Sequence, residues 1–410
     1  MDNNTVDGIL INDDFYNFIE KYKDADPNVL RLKKINGCSF DSKFAILQIE
    51  CRKKASHKIP DLNATQRFLY PTLLSAEQCT SEIIARFHAS LFDNCEKILD
   101  LTAGLCIDSY YISKNTTHVT ALEINPLVAY IGTLNMKQLN ANVDVINCNS
   151  EDYILNYPDA KYDAVFVDPA RRGYNNSRIF AISECSPNII PLLHQLKKQA
   201  KYLIIKASPM IDITNTLTEI NNISDIWVLG VKNECKELLF RVNFESDISA
   251  VCSPRIHTIN FDTTGTQEFS FDYNHDKTSM PKTTLPQTGN YLYEPNCCIM
   301  KAGAFRDIAN EYNELSKLHN NTHLFVSTDK IEAFPGRTFS IEEIIPYKDK
   351  ELKRIAGKYP QINVSVRNMP LTAEQLKSKL KVKDGGENYL FGVTLCDESK
   401  ALLICKKVPL

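Results

Sequence analysis

The sequence predicts an α/β protein: a doubly wound domain, preceded by a mainly helical region and followed by small α+β domains. Three observations carry this. Short apolar runs alternate with helical segments from residue 96 to 245. Upstream, the apolar residues recur with a helical period instead. Downstream, a strand–helix order of its own returns after a polar, proline-containing stretch. These divide the chain into a helical region (1–94), a doubly wound domain (95–248) and two α+β segments (249–337 and 338–410). A length of 410 residues suits such a multidomain chain.

Each element has its local reason. In "DDFYNFIEKYKDAD", Phe15, Phe18, Ile19 and Tyr22 share one helical face. After basic "CRKKASHK", Ser75 and Gln78 have capping-box spacing. That predicts a helix from there to about Phe92, with Ile83, Ile84, Phe87 and Leu91 as its apolar stripe. Strands are expected at "KILDL", "HVTALE", "VDVIN", "YDAVFVD", "YLIIKAS", "DIWVLGV" and "ELLFRVNF", with helices at 126–140 and 187–200 among the gaps. Apolar strands with intervening helices predict a largely parallel sheet. The last two strands lack a long helix between them, so an antiparallel hairpin is expected at one edge. Residues 250–335 read as short strands, one helix at about 298–317, and an exposed loop in "DKTSMPKTTLPQTGN". The end of the chain reads β-α-β-α-β-β, with Thr372 and Gln375 spaced as a capping box.

Composition bounds the function. Hydrophobic residues make up 43% and charged residues 24%, with a net charge of −3, so any nucleic-acid site must be a local patch. No apolar run approaches the ~18 residues of a membrane span. The acidic N-terminus lacks a basic leader pattern, so a cytoplasmic location without a membrane role is expected. None of the thirteen cysteines forms a C-x-x-C pair, so reduced, mostly buried thiols are expected. His319 and His323 are spaced like metal ligands but have no third ligand nearby, so no metal is expected.

The loop after the first strand, "DLTAGLCID", is where open α/β sheets bind nucleotide-type ligands, and a glycine there lets backbone approach the ligand. Glu123 ends the second strand, where a carboxylate can accept both ribose hydroxyl protons. That pairing serves dinucleotide and S-adenosylmethionine sites alike. A dinucleotide site needs G-x-G-x-x-G, and "TAGLCIDS" supplies one glycine.

"ILDLTAGLCIDS", "VTALEINPLVAYIGTLNMKQLN", "INCNSEDY" and "YDAVFVDPARR" resemble, in order and spacing, the successive motifs of class I S-adenosylmethionine-dependent methyltransferases. The resemblance covers about residues 75–245 and implies a Rossmann-like methyltransferase domain with S-adenosylmethionine as cofactor. It implies that Asp100, Thr102 and Gly104 line the methionine end, Glu123 holds the ribose, and Ile124 packs on the adenine. Asn149 and Ser150 would flank the adenine edge. Two positions depart from the family pattern: the usual second glycine is Cys106, whose side chain narrows the loop, and the usual aspartate of the adenine motif is Asn149. An amide oxygen can still accept from the adenine amino group.

Asp168-Pro169 follows the fourth strand, where methyltransferases acting on amino groups carry D/N-P-P-x. An exocyclic amine is a poor nucleophile because its lone pair is delocalised. Hydrogen bonds to a carboxylate and a loop carbonyl favour attack as the nitrogen rehybridises. Arg171 stands where an aromatic is usual, and a guanidinium can stack on a base or grip a phosphate. Asp168, Pro169 and Arg171 are therefore the catalytic candidates, and Arg171 and Arg172 candidate substrate contacts. The bland alternative is a salt bridge from one arginine to a carboxylate such as Glu184. "DPARRG" also resembles uridine C5-methyltransferases, but "YLIIKASPMIDI" lacks their downstream cysteine, and Cys185 and Cys235 lie elsewhere in the sequence.

"NYLYEPNCCIMKAGAF" and the stretch from Val364 to Leu395 resemble the ferredoxin-like and THUMP-like C-terminal domains of a bacterial methyltransferase family, which implies an RNA substrate, mainly transfer RNA. Residues 346–410 hold thirteen Lys/Arg against seven Asp/Glu, with Lys377, Lys379, Lys381 and Lys383 at one helix end and loop. Such a patch suits phosphate contacts, although a solvated lysine face has the same composition. The expected function is methylation of an RNA base nitrogen. The alternatives are a non-catalytic RNA-binding protein on the same scaffold and a methyltransferase of another substrate.

Overall fold

The computed structural model describes residues 4–6, 9–33, 38–171, 181–245, 253–273 and 281–409. It divides into two compact units, one of residues 1–224 and 239–251, the other of 225–238 and 252–410.

The first unit opens with a short antiparallel ladder, Asn4–Val6 on Ile9–Ile11. Six helices follow: α1 (Asp13–Lys21), α2 (Pro27–Leu32), α3 (Ser42–Ala55), α4 (Pro60–Ala64), α5 (Leu73–Gln78) and α6 (Glu82–Ser90). The doubly wound part then runs β1 (Lys97–Asp100), α7 (Ile107–Ile112), β2 (His118–Glu123), α8 (Pro126–Gln138), β3 (Val143–Asn147), α9 (Ser150–Asn156), β4 (Ala164–Val167), α10 (Leu193–Gln199), β5 (Tyr202–Ala207) and α11 (Ile213–Glu219). Strands β6 (Ile223–Val231) and β7 (Glu234–Asn243) follow, most of β6 and the start of β7 belonging to the second unit and β7 from residue 239 to the first. The sheet order is β3-β2-β1-β4-β5-β7, and the pairs β2–β3, β1–β2, β1–β4 and β4–β5 are all parallel.

Fully buried strands explain the continuous apolar runs. Ile98, Leu99, Val165, Phe166, Leu203 and Ile204 are at most 1% exposed, and each such side chain stabilises by about 1.5–3 kcal/mol. Asn125 caps α8 by accepting from Leu127 and Val128 N–H, with Pro126 in the first turn. The N-terminal helices share their core with this domain. Phe15, Phe44 and Ile49 cluster with Ile131 of α8, and Phe68, Tyr70 and Ala85 with Leu105, Ile107 and Tyr111.

The helix expected from Ser75 to Phe92 is two helices. Thr72, not Ser75, caps α5, accepting from Ser75 N–H at 3.0 Å. At its far end, Lys58 Nζ donates to the Glu77 and Cys79 carbonyls, satisfying acceptors that a continuing helix would have used. The chain breaks at Cys79–Ser81 and turns Thr80 inward. Likewise the 187–200 helix shortens to a 3₁₀ turn (Ile190–Leu192) and α10.

In the second unit, Lys232 and Asn233, both in the left-handed region (φ 51° and 60°), turn β6 into β7. This hairpin is not an edge: β8 (Arg255–Asp262) runs parallel to β6, and β9 (Gly265–Asp272) pairs antiparallel with β8. The remaining elements are β10 (Tyr291–Pro295), α12 (Cys297–Ala302), α13 (Phe305–Glu311), β11 (Ser316–His319), β12 (Thr322–Ser327), β13 (Gly336–Pro346), α14 (Asp349–Lys358), β14 (Asn363–Arg367), α15 (Ala373–Leu380), β15 (Asn388–Thr394) and β16 (Lys400–Lys407). Their strands form one seven-stranded sheet, β11-β12-β10-β13-β16-β15-β14. The single helix expected at 298–317 is broken by Gly303, which caps α12 in the left-handed conformation (φ 68°), and its end is strand β11. The Thr372–Gln375 capping box is present. Among the described residues, twelve cysteines are free thiols, no cluster could hold a metal, and no helix is long and apolar enough to cross a membrane.

Candidate active site

The candidate residues of the first unit lie at or just after the carboxyl ends of β1, β2, β3 and β4. Asp100 ends β1, and its carboxylate is sealed in the core at 1% exposure. It accepts from Thr102 N–H at 3.0 Å and from Ser109 Oγ at 2.5 Å. Burial pushes its pKa up to about 7, against the opposing pull of those hydrogen bonds. Asp100 thus builds the loop from within rather than lining it.

The loop itself needs two left-handed residues, Gly104 (φ 50°) and Cys106 (φ 60°). A Cβ on Gly104 would meet nothing within 4 Å, so the loop faces open space there. Cys106 does not narrow it. Its side chain is fully buried and turns toward α8, where a Cβ on Gly132 would come within 2.8 Å of its Sγ. The absent side chain at 132 makes room for the cysteine that replaces the usual glycine.

Glu123 ends β2 and reaches back to the loop. Its Oε2 accepts from Gly104 N–H at 3.0 Å and its Oε1 from Asn125 N–H at 2.8 Å. Beside it, Ile124 is 67% exposed, a large apolar side chain presented to solvent at the sheet's edge. The Asn149 oxygen caps α9, accepting from Glu151 and Asp152 N–H at 2.8 and 3.3 Å. This commits the acceptor that an adenine amino group would have used, leaving the amide N–H₂ for a ligand. Ser150 is buried in the first turn of α9.

Asp168 follows β4, its N–H donating to Thr102 Oγ1 at 2.7 Å, so the first loop and the fourth strand's exit are tied together. Its side chain is 42% exposed. Lys206, in β5, donates to Asp168 Oδ2 at 2.7 Å and to Thr80 Oγ1 at 2.9 Å, and lies 3.9 Å from Asp108 Oδ2. Asp108 accepts from Thr80 Oγ1 at 2.6 Å and from His88 Nδ1 at 2.7 Å. Burial opposes ionisation of Asp108, but Lys206 and His88 outweigh it and bring its pKa down to about 2.

Sequence reasoning missed Thr80, His88, Asp108 and Lys206. Lys206 had a signal: it is the one charged residue in the apolar strand "YLIIKA". The sequence also placed Cys185 far from the lip, yet a two-residue ladder pairs Cys185–Ser186 with Ala170–Arg171. Its thiol is buried and donates to the Ala181 carbonyl. Arg172 lies outside the described residues, and of Arg171 only the backbone is described. A cleft of about 490 Å³ at the amino ends of β1, β4 and β5, lined by Lys97, Lys161, Lys198 and Lys201 among others, shares no residue with this site.

In the second unit the lysine run is only partly available. Lys377 Nζ pairs with Asp384 at 3.0 Å and Lys379 Nζ donates to Tyr347 Oη at 3.1 Å. Lys381 and Lys383 are exposed, Lys381 as the left-handed cap of α15. His319 and His323 diverge: His319 pairs with Glu398 at 3.0 Å, while His323 stacks on Phe305 at 3.7 Å between ring centres.

A ferredoxin-like domain family matches residues 291–335 and a THUMP domain-like family matches 336–407, so the two matched segments are halves of the one seven-stranded sheet. No curated protein sequence matches the chain. A crystal structure of a "putative methyltransferase" from Porphyromonas gingivalis W83 superposes with a TM-score of 0.88 at 30% identity, covering 96% of this chain and 98% of that one. The Escherichia coli "putative methyltransferase" yhhF (19% identity, 40% of this chain, 85% of that chain, TM-score 0.30) superposes only locally. So does TrmK of M. capricolum, solved with S-adenosylhomocysteine (16% identity, 40% of this chain, 68% of that chain, TM-score 0.32). With a buried-strand sheet, a Gly104–Glu123 loop and both C-terminal halves in place, the chain belongs to the family of class I S-adenosylmethionine-dependent methyltransferases that carry ferredoxin-like and THUMP-like C-terminal domains.

Proposed function

We propose that this protein methylates an exocyclic base nitrogen of RNA, with transfer RNA as the substrate class, in the cytoplasm. The observation that carries the proposal is the convergence of the Gly104–Glu123 loop and the Asp168-Pro169 exit at the carboxyl ends of the strands, joined through Thr102. The residues fit S-adenosylmethionine: Gly104 faces open space, Glu123 offers carboxylate oxygens beside it, and Ile124 offers an exposed apolar surface for the adenine. Thr102 and the backbone near Ser150 complete this lining. When bound, the cofactor supplies an electrophilic methyl group on a sulfonium.

The chain's own part is positioning. Asp168 accepts hydrogen bonds from the substrate amine and takes up the proton it sheds, while the backbone after Pro169 supplies the second acceptor. Arg171 and Arg172 are proposed to contact the base or its phosphate. The RNA reading is supported by the THUMP-like match and the net positive C-terminal segment, where exposed Lys381 and Lys383 are better placed than Lys377 and Lys379 for phosphates. Nucleoside mass spectrometry of RNA from cells with and without the gene tests it: one methylated base should disappear. An unchanged nucleoside profile refutes it. The committed Asn149 oxygen favours one second reading, an RNA-binding protein that no longer holds cofactor; titration calorimetry with S-adenosylmethionine separates the two.

A further inference from the structure

We infer that Lys206 is the positioning residue of the lip: clamped by Thr80 and Asp108, it holds the Asp168 carboxylate at the orientation in which it receives the substrate amine. The inference rests on the methyl-transfer reading and deepens it.

A lysine 9% exposed in an otherwise apolar strand needs a reason, because an unpaired buried ammonium costs several kcal/mol. Here the ammonium is anchored on three sides. Thr80 takes one donor at 2.9 Å and Asp168 Oδ2 another at 2.7 Å, while Asp108 stands off at 3.9 Å. Asp108 is itself fixed by Thr80 Oγ1 and by His88, which is fully buried and lies 5.6 Å from the Phe166 ring. The carboxylate that supplies local negative charge is therefore spent on holding the lysine and its threonine, and the lysine reaches Asp168 at 2.7 Å.

Asp168 is held at both ends as a result. Its backbone N–H is bound to Thr102, and one carboxylate oxygen is bound to Lys206. Reaction geometry is sensitive to such support, since a 1 Å misplacement can cost about 10²-fold in rate. Thr80 lies in the break between α5 and α6, and from there its hydroxyl meets both Lys206 and Asp108. The N-terminal helices thereby become part of the catalytic support.

The test compares wild type, Lys206→Met, Lys206→Arg and Thr80→Val in the full chain. Methyl transfer from radiolabelled S-adenosylmethionine into small RNA from cells lacking the gene is measured alongside cofactor affinity by calorimetry. Lys206→Met should lower kcat about 100-fold with KM for RNA and cofactor Kd within about threefold. Lys206→Arg should recover to within about tenfold of wild type, and Thr80→Val, which conserves shape and guards against misfolding of the first variant, should lose about tenfold. Wild-type kcat in Lys206→Met, or a loss matched by lost cofactor binding, overturns the inference. A crystal structure of Lys206→Met gives a readout independent of substrate: the Asp168 carboxylate should leave its wild-type rotamer, and an unmoved carboxylate overturns the inference. Absence of transfer by wild type would overturn the RNA-methylation reading alone, with the rotamer still deciding the role of Lys206.

Discussion

Lysines are used in opposite ways at the end of β5 and around the end of α15. Lys206 is alone, buried and fully engaged, whereas Lys377, Lys379, Lys381 and Lys383 are clustered and open to solvent to differing degrees. A buried cation has few partners at fixed distances, so removing one partner changes geometry. An exposed cation acts through a screened field, so removing one changes affinity by a small and salt-dependent amount. The difference separates residues that decide rate from residues that decide encounter.

That contrast can be broken in four places. Asp168→Ala should lower methyl transfer by about 10³-fold while cofactor Kd stays within a few-fold. A variant with full activity would remove Asp168 from the mechanism and leave the buried cluster merely structural. Asp100 gives the next largest effect, on stability. Its folded pKa is raised to about 7 by burial, from an ordinary value of 3.8. Between those values the folded chain holds a proton that the unfolded chain has released, so stability falls as pH rises, by up to roughly 1.4 kcal/mol per pH unit. Urea unfolding at pH 5 and pH 7 should show this slope in wild type and a flatter one in Asp100→Asn, whose oxygen can still accept from Thr102 N–H while its N–H₂ donates to the Ser109 hydroxyl.

Gly104→Ala places a Cβ at φ 50°, pointing into the space the loop faces, so cofactor affinity should drop about tenfold by calorimetry while the fold is retained. Unchanged affinity would move the ligand off this loop. The smallest effects belong to the lysine run. Lys381→Ala and Lys383→Ala should each weaken RNA binding a few-fold and reduce the slope of log K against log salt by about one. Lys377→Ala and Lys379→Ala should do less, because Asp384 and Tyr347 already hold those ammonium groups. Equal effects from all four would show that the internal pairings open on binding.

The parallel strands, their order of loops and the acidic ends of β1, β2 and β4 were legible because continuous apolar runs and loop chemistry are local properties. The α5–α6 break was not. Its helical period continues through Thr80, and what stops it is Lys58 from the turn between α3 and α4 together with partners on α7 and β5. The same holds for Cys106: a sequence shows a cysteine where glycine is usual, but not that Gly132, a turn into α8, provides its space. Asn149 was read as an acceptor for adenine, and the geometry shows its oxygen taken by the first turn of α9. The hairpin β6–β7 was readable, but the strands that cover its outer side lie beyond the stretch that encodes it.

The seating of Cys106 against Gly132 also makes the cofactor loop observable. Burial pushes the thiol's pKa up and keeps it from solvent, so it reacts with a disulfide reagent only when the loop parts from α8. Labelling of this thiol therefore runs as a clock for loop opening, one that should slow as ligand saturates the site, with no substrate and no turnover required.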